Sequence, residues 1–164
     1  MKLDEYDLKI LETIQKDGRI TKTKLAEKIN LSPSPTWERL KRLEDGGVIS
    51  GYYGRVNLKN IVPVTTVMVE VVLKRHQIGD FKRFEDAVTS APEVVECLAI
   101  GGGIDYLMRI MTSDIDNYQR IMDSLLEDDI GIDKYFTYIV TKPIKNLCSI
   151  PISNLTDKTT ANRP

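Results

Sequence analysis

Apolar residues recur at helical spacing over residues 1–50 and at alternate positions over much of the remainder. Leu8, Leu11 and Ile14 form one helical stripe, ended by Asp17-Gly18. Asp4 is placed to cap that helix, with Asp7 at the box position and acids near its positive end. Thr21 can cap a second helix with Leu25, Ala26 and Ile29 on its apolar face. Asn30-Leu31-Ser32 reads as a short turn. Ser34 can cap a third helix, with Pro35 at the first position, where a missing N–H costs nothing. Trp37, Leu40 and Leu43 line that helix, and Gly46-Gly47 stops it. Two short strands, Val48–Tyr53 and Arg55–Leu58, are expected around a glycine turn, followed by a linker containing Pro63.

Beyond residue 64 the period changes to two. Val67, Val69, Val71 and Leu73 predict a half-buried strand. Asp80 can cap a helix bearing Phe81, Phe84 and Val88. Val94–Ile100 and Ile104–Met111 read as strands around Gly101-Gly102-Gly103. Asp114 can cap a helix with Ile115, Tyr118, Met122 and Leu125 on one stripe, and Tyr135–Thr141 is a last strand. The order βαββαβ is a split βαβ arrangement, so the fold class is α+β. The expected organisation is a helix-turn-helix at 1–50, a wing hairpin and linker at 51–63, a βαββαβ domain at 64–147, and a polar, loose tail at 148–164.

Composition narrows the chemistry. The chain has 164 residues, 23 basic against 24 acidic, with a single His and a formal net charge of −1. Near-neutrality excludes a polycation that coats nucleic acid by bulk attraction. No stretch approaches the ~18 apolar residues of a membrane span, and Met1–Glu5 lacks a secretory pattern. Cys97 and Cys148 lack CxxC spacing and are expected to be free cytosolic thiols. The pattern offers no nucleophile–base pair and no metal-ligand spacing. The expectation is a non-enzyme with no catalytic residue, no metal site and no cofactor.

The charge is unevenly placed. Residues 19–42 hold seven basic and two acidic side chains, whereas residues 76–135 hold five basic and thirteen acidic ones. Two helices joined by a short turn can set the second in the DNA major groove. Thr23, Ser34 and Thr36 could then bond phosphate near helix N-termini. Arg39, Lys41 and Arg42 could reach phosphates or guanine edges. Trp37 fits either the helical core or the DNA face. A basic winged helix that binds protein and oligomerises without DNA is the alternative. In the second half, Gly101, Gly102 and Gly103 could expose N–H groups to a carboxylate, and Asp105 could hold an ammonium. Those are the two charged ends of an amino acid, although a plain hairpin turn has the same pattern.

The run Leu25–Glu44 followed by Gly47-Val48-Ile49-Ser50-Gly51-Tyr52, with the opening Leu3-Asp4 and Asp7–Leu11, resembles the Lrp/AsnC "feast/famine" transcription regulators. The resemblance spans residues 2–147. It implies a winged helix-turn-helix followed by a ferredoxin-like αβ-sandwich of the RAM type. It also implies a cytoplasmic, nucleoid-associated regulator that binds specific double-stranded DNA under the control of an amino-acid effector. Homodimers would assemble to tetramers or octamers. By the same resemblance, residues 34–44 are the recognition helix. Gly102 and Asp105 match the family's effector turn, and Tyr138, Ile139 and Val140 its effector-sensitive strand. Gly103 departs from the polar or acidic residue of many members.

Overall fold

A computed structural model describes residues 2–145 and 150–152. They form two compact units, one of residues up to Arg55 with those after Ile144, the other spanning Val56–Ile144.

The first unit is helical. Helix α1 (Glu5–Lys16) begins with the expected reciprocal box, in which Asp4 and Asp7 each accept the other's backbone N–H. Helix α2 (Lys22–Ile29) is capped by the Thr21 hydroxyl, and Asn30 leaves it in the left-handed region. Helix α3 (Pro33–Asp45) starts two residues earlier than Ser34 would place it, with Ser32 as the N-cap and Pro33 in the first turn. Gly47, at φ +68, makes the left-handed step that ends the helix, and Val48 and Ile49 both donate to the Leu43 carbonyl. Ile10, Leu25, Ile29, Leu40 and Leu43 form the core.

Two expectations for this unit need correction. Residues 48–57 contain no strand, so the wing hairpin is absent. An isolated two-stranded ribbon is marginal unless it buries an apolar face, and here Tyr53, between Gly51 and Gly54, and Val56 just beyond them stand exposed. A single 3₁₀ turn, Leu58–Asn60, follows. The tail is also not uniformly loose. The Ile150 N–H donates to Gln15 Oε1, and Ile152 packs against the helical core. The rest of the expected tail, Cys148 included, lies outside the described residues.

The second unit runs β1 (Thr65–Leu73), α4 (Ile78–Ser90), β2 (Val94–Ala99), β3 (Tyr106–Thr112), α5 (Ile115–Glu127) and β4 (Ile132–Ile139). The sheet order is β2-β3-β1-β4 with every pair antiparallel, which is the split βαβ topology. Helix α4 is capped at Gln77, which leaves Asp80 in its first turn; α5 is capped by the Asp114 carboxylate as expected. Alternation decides the faces. Val67, Val69, Val71, Tyr106, Met108 and Ile110 meet Phe84, Val88, Tyr118 and Met122 from the helices. The opposite face carries Met68, Glu70 and Val72 on β1, Leu107, Arg109 and Met111 on β3, and Phe136 and Tyr138 on β4. No element of this unit covers it, and Leu98, Phe136 and Tyr138 remain about half exposed there.

Candidate nucleic-acid interface and effector turn

The apolar stripe of α3 fixes which of its side chains reach solvent. Leu40 and Leu43 point inward, and one turn earlier the inward position belongs to Thr36, not to Trp37. Thr36 is 1% exposed, and its hydroxyl donates to the Ser32 carbonyl at 2.8 Å. It therefore cannot be the phosphate contact expected of it. Ser34, Trp37 and Lys41 share the outward stripe, and Thr23 is exposed on α2. Trp37 is 37% exposed, with the Lys22 ammonium 3.0 Å from its ring centroid. This cation–π contact joins α2 to the outer face of α3. Glu38, Lys41, Arg42, Asp45 and Gly46 line an open depression beside that stripe.

Arg39 and Arg42 have another task. Asp7 on α1 is fully buried, and its carboxylate accepts from Arg39 Nη1 at 2.9 Å, Arg42 Nη2 at 2.6 Å and the Asp4 backbone N–H at 3.0 Å. Arg39 also bonds Asp4 at 2.6 Å. Both guanidiniums thus clamp α3 to α1. The Arg39 hydrogen bond is the main cause holding the Asp4 carboxyl below its ordinary range, and Asp4 in turn raises Arg39. Arg42 keeps a half-exposed side chain and can still present spare donors; Arg39 is more enclosed. Asp7, Asp4 and Lys22 were missed as parts of this surface. Asp7 did carry a signal, because it stands at i, i+3, i+4 and i+7 with Ile10, Leu11 and Ile14. A carboxylate on an apolar stripe requires a buried partner.

The glycine turn is ordered by its acid, Asp105. The Asp105 side chain is 17% exposed, accepts the Leu73 N–H at 2.8 Å and pairs with His76 Nε2 at 3.0 Å. Its backbone N–H donates to the Val71 carbonyl, and its carbonyl accepts the Ile100 N–H. Gly101, Gly102 and Gly103 stand exposed, with open space where a Cβ would go. His76 is therefore the Asp105 partner, and its ring leans on Phe81. Tyr138, Ile139 and Val140 do not converge on this turn as a set. Tyr138 points to the open sheet face and bonds Glu70, whereas its neighbour Ile139 pairs with Val67 on the helix-covered side. Cys97 faces the helices beside Met108. Burial, then the nearby Glu85, pushes its thiol up, which leaves it a poor nucleophile. Among the described residues no three His, Cys, Asp or Glu side chains gather as metal ligands would.

Known proteins give this geometry a context. Residues 3–50 match a winged helix-turn-helix DNA-binding model, and residues 66–150 match the Lrp/AsnC ligand binding domain. The chain is 56% identical to the transcriptional regulatory protein DoeX of Halomonas elongata over 94% of this chain and 99% of that one. It is 35% identical to the leucine-responsive regulatory protein of Escherichia coli over 87% of each. A transcriptional regulator of Neisseria meningitidis, crystallised as its L-Met complex, superposes with a TM-score of 0.87 at 30% identity, covering 94% of this chain and 99% of that one.

Proposed function

The chain belongs to the Lrp/AsnC family of transcription regulators, and from that premise we propose how it divides the work. The first unit binds double-stranded DNA through the outer stripe of α3, with Ser34, Trp37, Lys41 and Arg42 toward the groove and Thr23 on the flanking backbone. One observation carries this reading: the Asp7 clamp fixes α3 with that stripe outward, beside the Lys22–Trp37 contact. A recognition helix must enter a groove at a set angle, and two ion pairs to the buried Asp7 carboxylate supply the constraint.

The second unit holds the effector and the assembly surface. An amino acid is the effector class, with its ammonium on Asp105 and its carboxylate on the N–H groups of Gly101, Gly102 and Gly103. The L-Met complex of the Neisseria regulator supports that class. Two protomers pair through the open sheet face, because Leu98, Phe136 and Tyr138 are too apolar to be left in water together. Tetramers or octamers then add avidity by engaging several sites. The effector acts by binding one assembly better than another. The protein works in the cytoplasm on the chromosome.

Selection from randomised duplexes with the full chain tests the DNA reading. The expected product is a two-fold motif whose half-sites lie about one helical turn, roughly 34–36 Å, apart. Recovery of no enriched motif would remove DNA recognition from the account.

A further inference from the structure

Helix α3 opens unlike an anion site. Pro33 and Pro35 have no N–H, so Ser34 is the only backbone donor among its first three residues. The Ser32 side chain makes no capping bond, and the Thr36 N–H is taken by the Ser32 carbonyl at 3.3 Å. A phosphate at this end would find one N–H where an ordinary helix offers three. What the end presents instead is carbon. Pro33 and Trp37 stand one turn apart on the outer face, both exposed, and Lys41 follows a turn further on. Glu38, next to Trp37 in sequence, is also exposed and repels phosphate from the middle of the helix.

Three observations decide how the indole can be used. Trp37 is 37% exposed, so most of it is covered and it cannot enter a base stack as a wedge. The Lys22 ammonium, 3.0 Å from the ring centroid, occupies one face and closes it to a stacking base. The same contact holds the ring against α2. An apolar edge remains, in the first two turns of α3, and those are the turns a recognition helix brings to base edges. The major-groove edges of guanine, adenine and cytosine carry hydrogen-bonding groups, which an apolar edge would strip of water without replacing it. Thymine alone adds a methyl group there.

We propose that Trp37 is a specificity-determining residue that reads the 5-methyl group of one thymine in each half-site by apolar contact, with Lys22 holding the ring in place. The proposal rests on the reading of α3 as the recognition helix and adds what one of its side chains recognises. Because the contact is apolar, it contributes to sequence preference and not to the salt dependence of binding. Lys41, a turn further along the stripe, supplies charge instead.

A methyl scan of the duplex enriched from randomised DNA tests the proposal. Each thymine is replaced in turn, in both half-sites, by deoxyuridine, which lacks only the methyl group, and the full chain is titrated by anisotropy of the labelled duplex. At one position the wild type should lose roughly tenfold in affinity for the two methyls together, at an unaltered salt slope. Trp37→Ala should bind the thymine duplex more weakly and no longer distinguish it from the deoxyuridine duplex. A wild type that loses less than about twofold at every thymine overturns the proposal, and so does methyl sensitivity undiminished in Trp37→Ala. Either result leaves the DNA reading intact, because the motif is still enriched; failure to enrich any motif removes both. An unchanged circular-dichroism melt shows that Trp37→Ala is folded. Should it not fold, acrylamide quenching of the wild type decides, because Trp37 is the sole tryptophan. Stronger protection on the saturating thymine duplex than on the deoxyuridine one supports the contact, and equal protection on both overturns it.

Discussion

Replacing Asp7 with Asn removes the charge that two arginines share while keeping the side chain's shape. The wild-type carboxylate is 0% exposed and holds Arg39 at 2.9 Å and Arg42 at 2.6 Å. Removing one partner of a fully buried pair costs about 3–5 kcal/mol. Here the guanidinium side chains are 27% and 48% exposed and can turn partly to water. A loss of about 2–3 kcal/mol is therefore expected. Trp37 is the sole tryptophan, and it lies in α3, so its fluorescence follows this unit alone through urea unfolding. With a slope near 1 kcal/mol/M, the midpoint should fall by about 2–3 M. Asp4→Asn is the control. Asp4 is 52% exposed, so its loss should cost no more than about 1 kcal/mol. A midpoint for Asp7→Asn within about 0.5 M of wild type, at unchanged slope, would refute the clamp.

Four further outcomes are expected. Thr36→Val, which leaves the Ser32 carbonyl with only its bond from the residue-36 N–H, should cost about 1 kcal/mol in the same urea assay; DNA affinity lowered at equal stability would return Thr36 to the contact surface. Lys41→Ala should leave the unfolding midpoint unchanged while reducing the magnitude of the log–log salt slope of DNA binding by about 1; an unaltered slope would place Lys41 off the phosphates. Asp105→Ala should abolish the effector response in a DNA-binding assay that still detects the complex, and a full response would move the effector elsewhere. Acid should weaken the first unit through Asp4. Its folded pKa lies below the ordinary 3.8, chiefly because of Arg39, so its contribution is present above that value and disappears as pH falls through the folded pKa. The Trp37-reported midpoint of Asp4→Asn should accordingly fall less steeply below about pH 4 than that of wild type.

The parts of this molecule that were legible in the chain are those decided locally. Asp4, Thr21 and Asp114 cap their helices because a short acceptor side chain reaches an N–H within three residues. The alternation from Val67 to Leu73 gives the buried face of β1 directly. Contacts that depend on elements far apart in sequence were not legible. Nothing near Arg39 in the sequence announces Asp7, which stands 32 positions away. The periodicity of α3 holds two readings one residue apart, and choosing Trp37 in place of Thr36 turned a buried hydroxyl into an expected DNA contact. The wing failed for a related reason. Its residues favour strands, but a strand pair must bury an apolar face, and here Ile49 alone packs on the helical core while Val48, Tyr52, Tyr53 and Val56 stand exposed. Tyr138, Ile139 and Val140 read as one group along the chain, yet the pleat sends neighbours to opposite faces.

A clamped, basic helix-turn-helix should bind DNA specifically. Fluorescence anisotropy of the full chain on its selected duplex, against a scrambled duplex, over a range of salt tests it most directly. Affinity should fall with salt at a log–log slope near −0.9 per phosphate neutralised. The selected duplex should bind about 10³-fold or more tightly than the scrambled one. A flat salt response with equal affinity for both duplexes would contradict it.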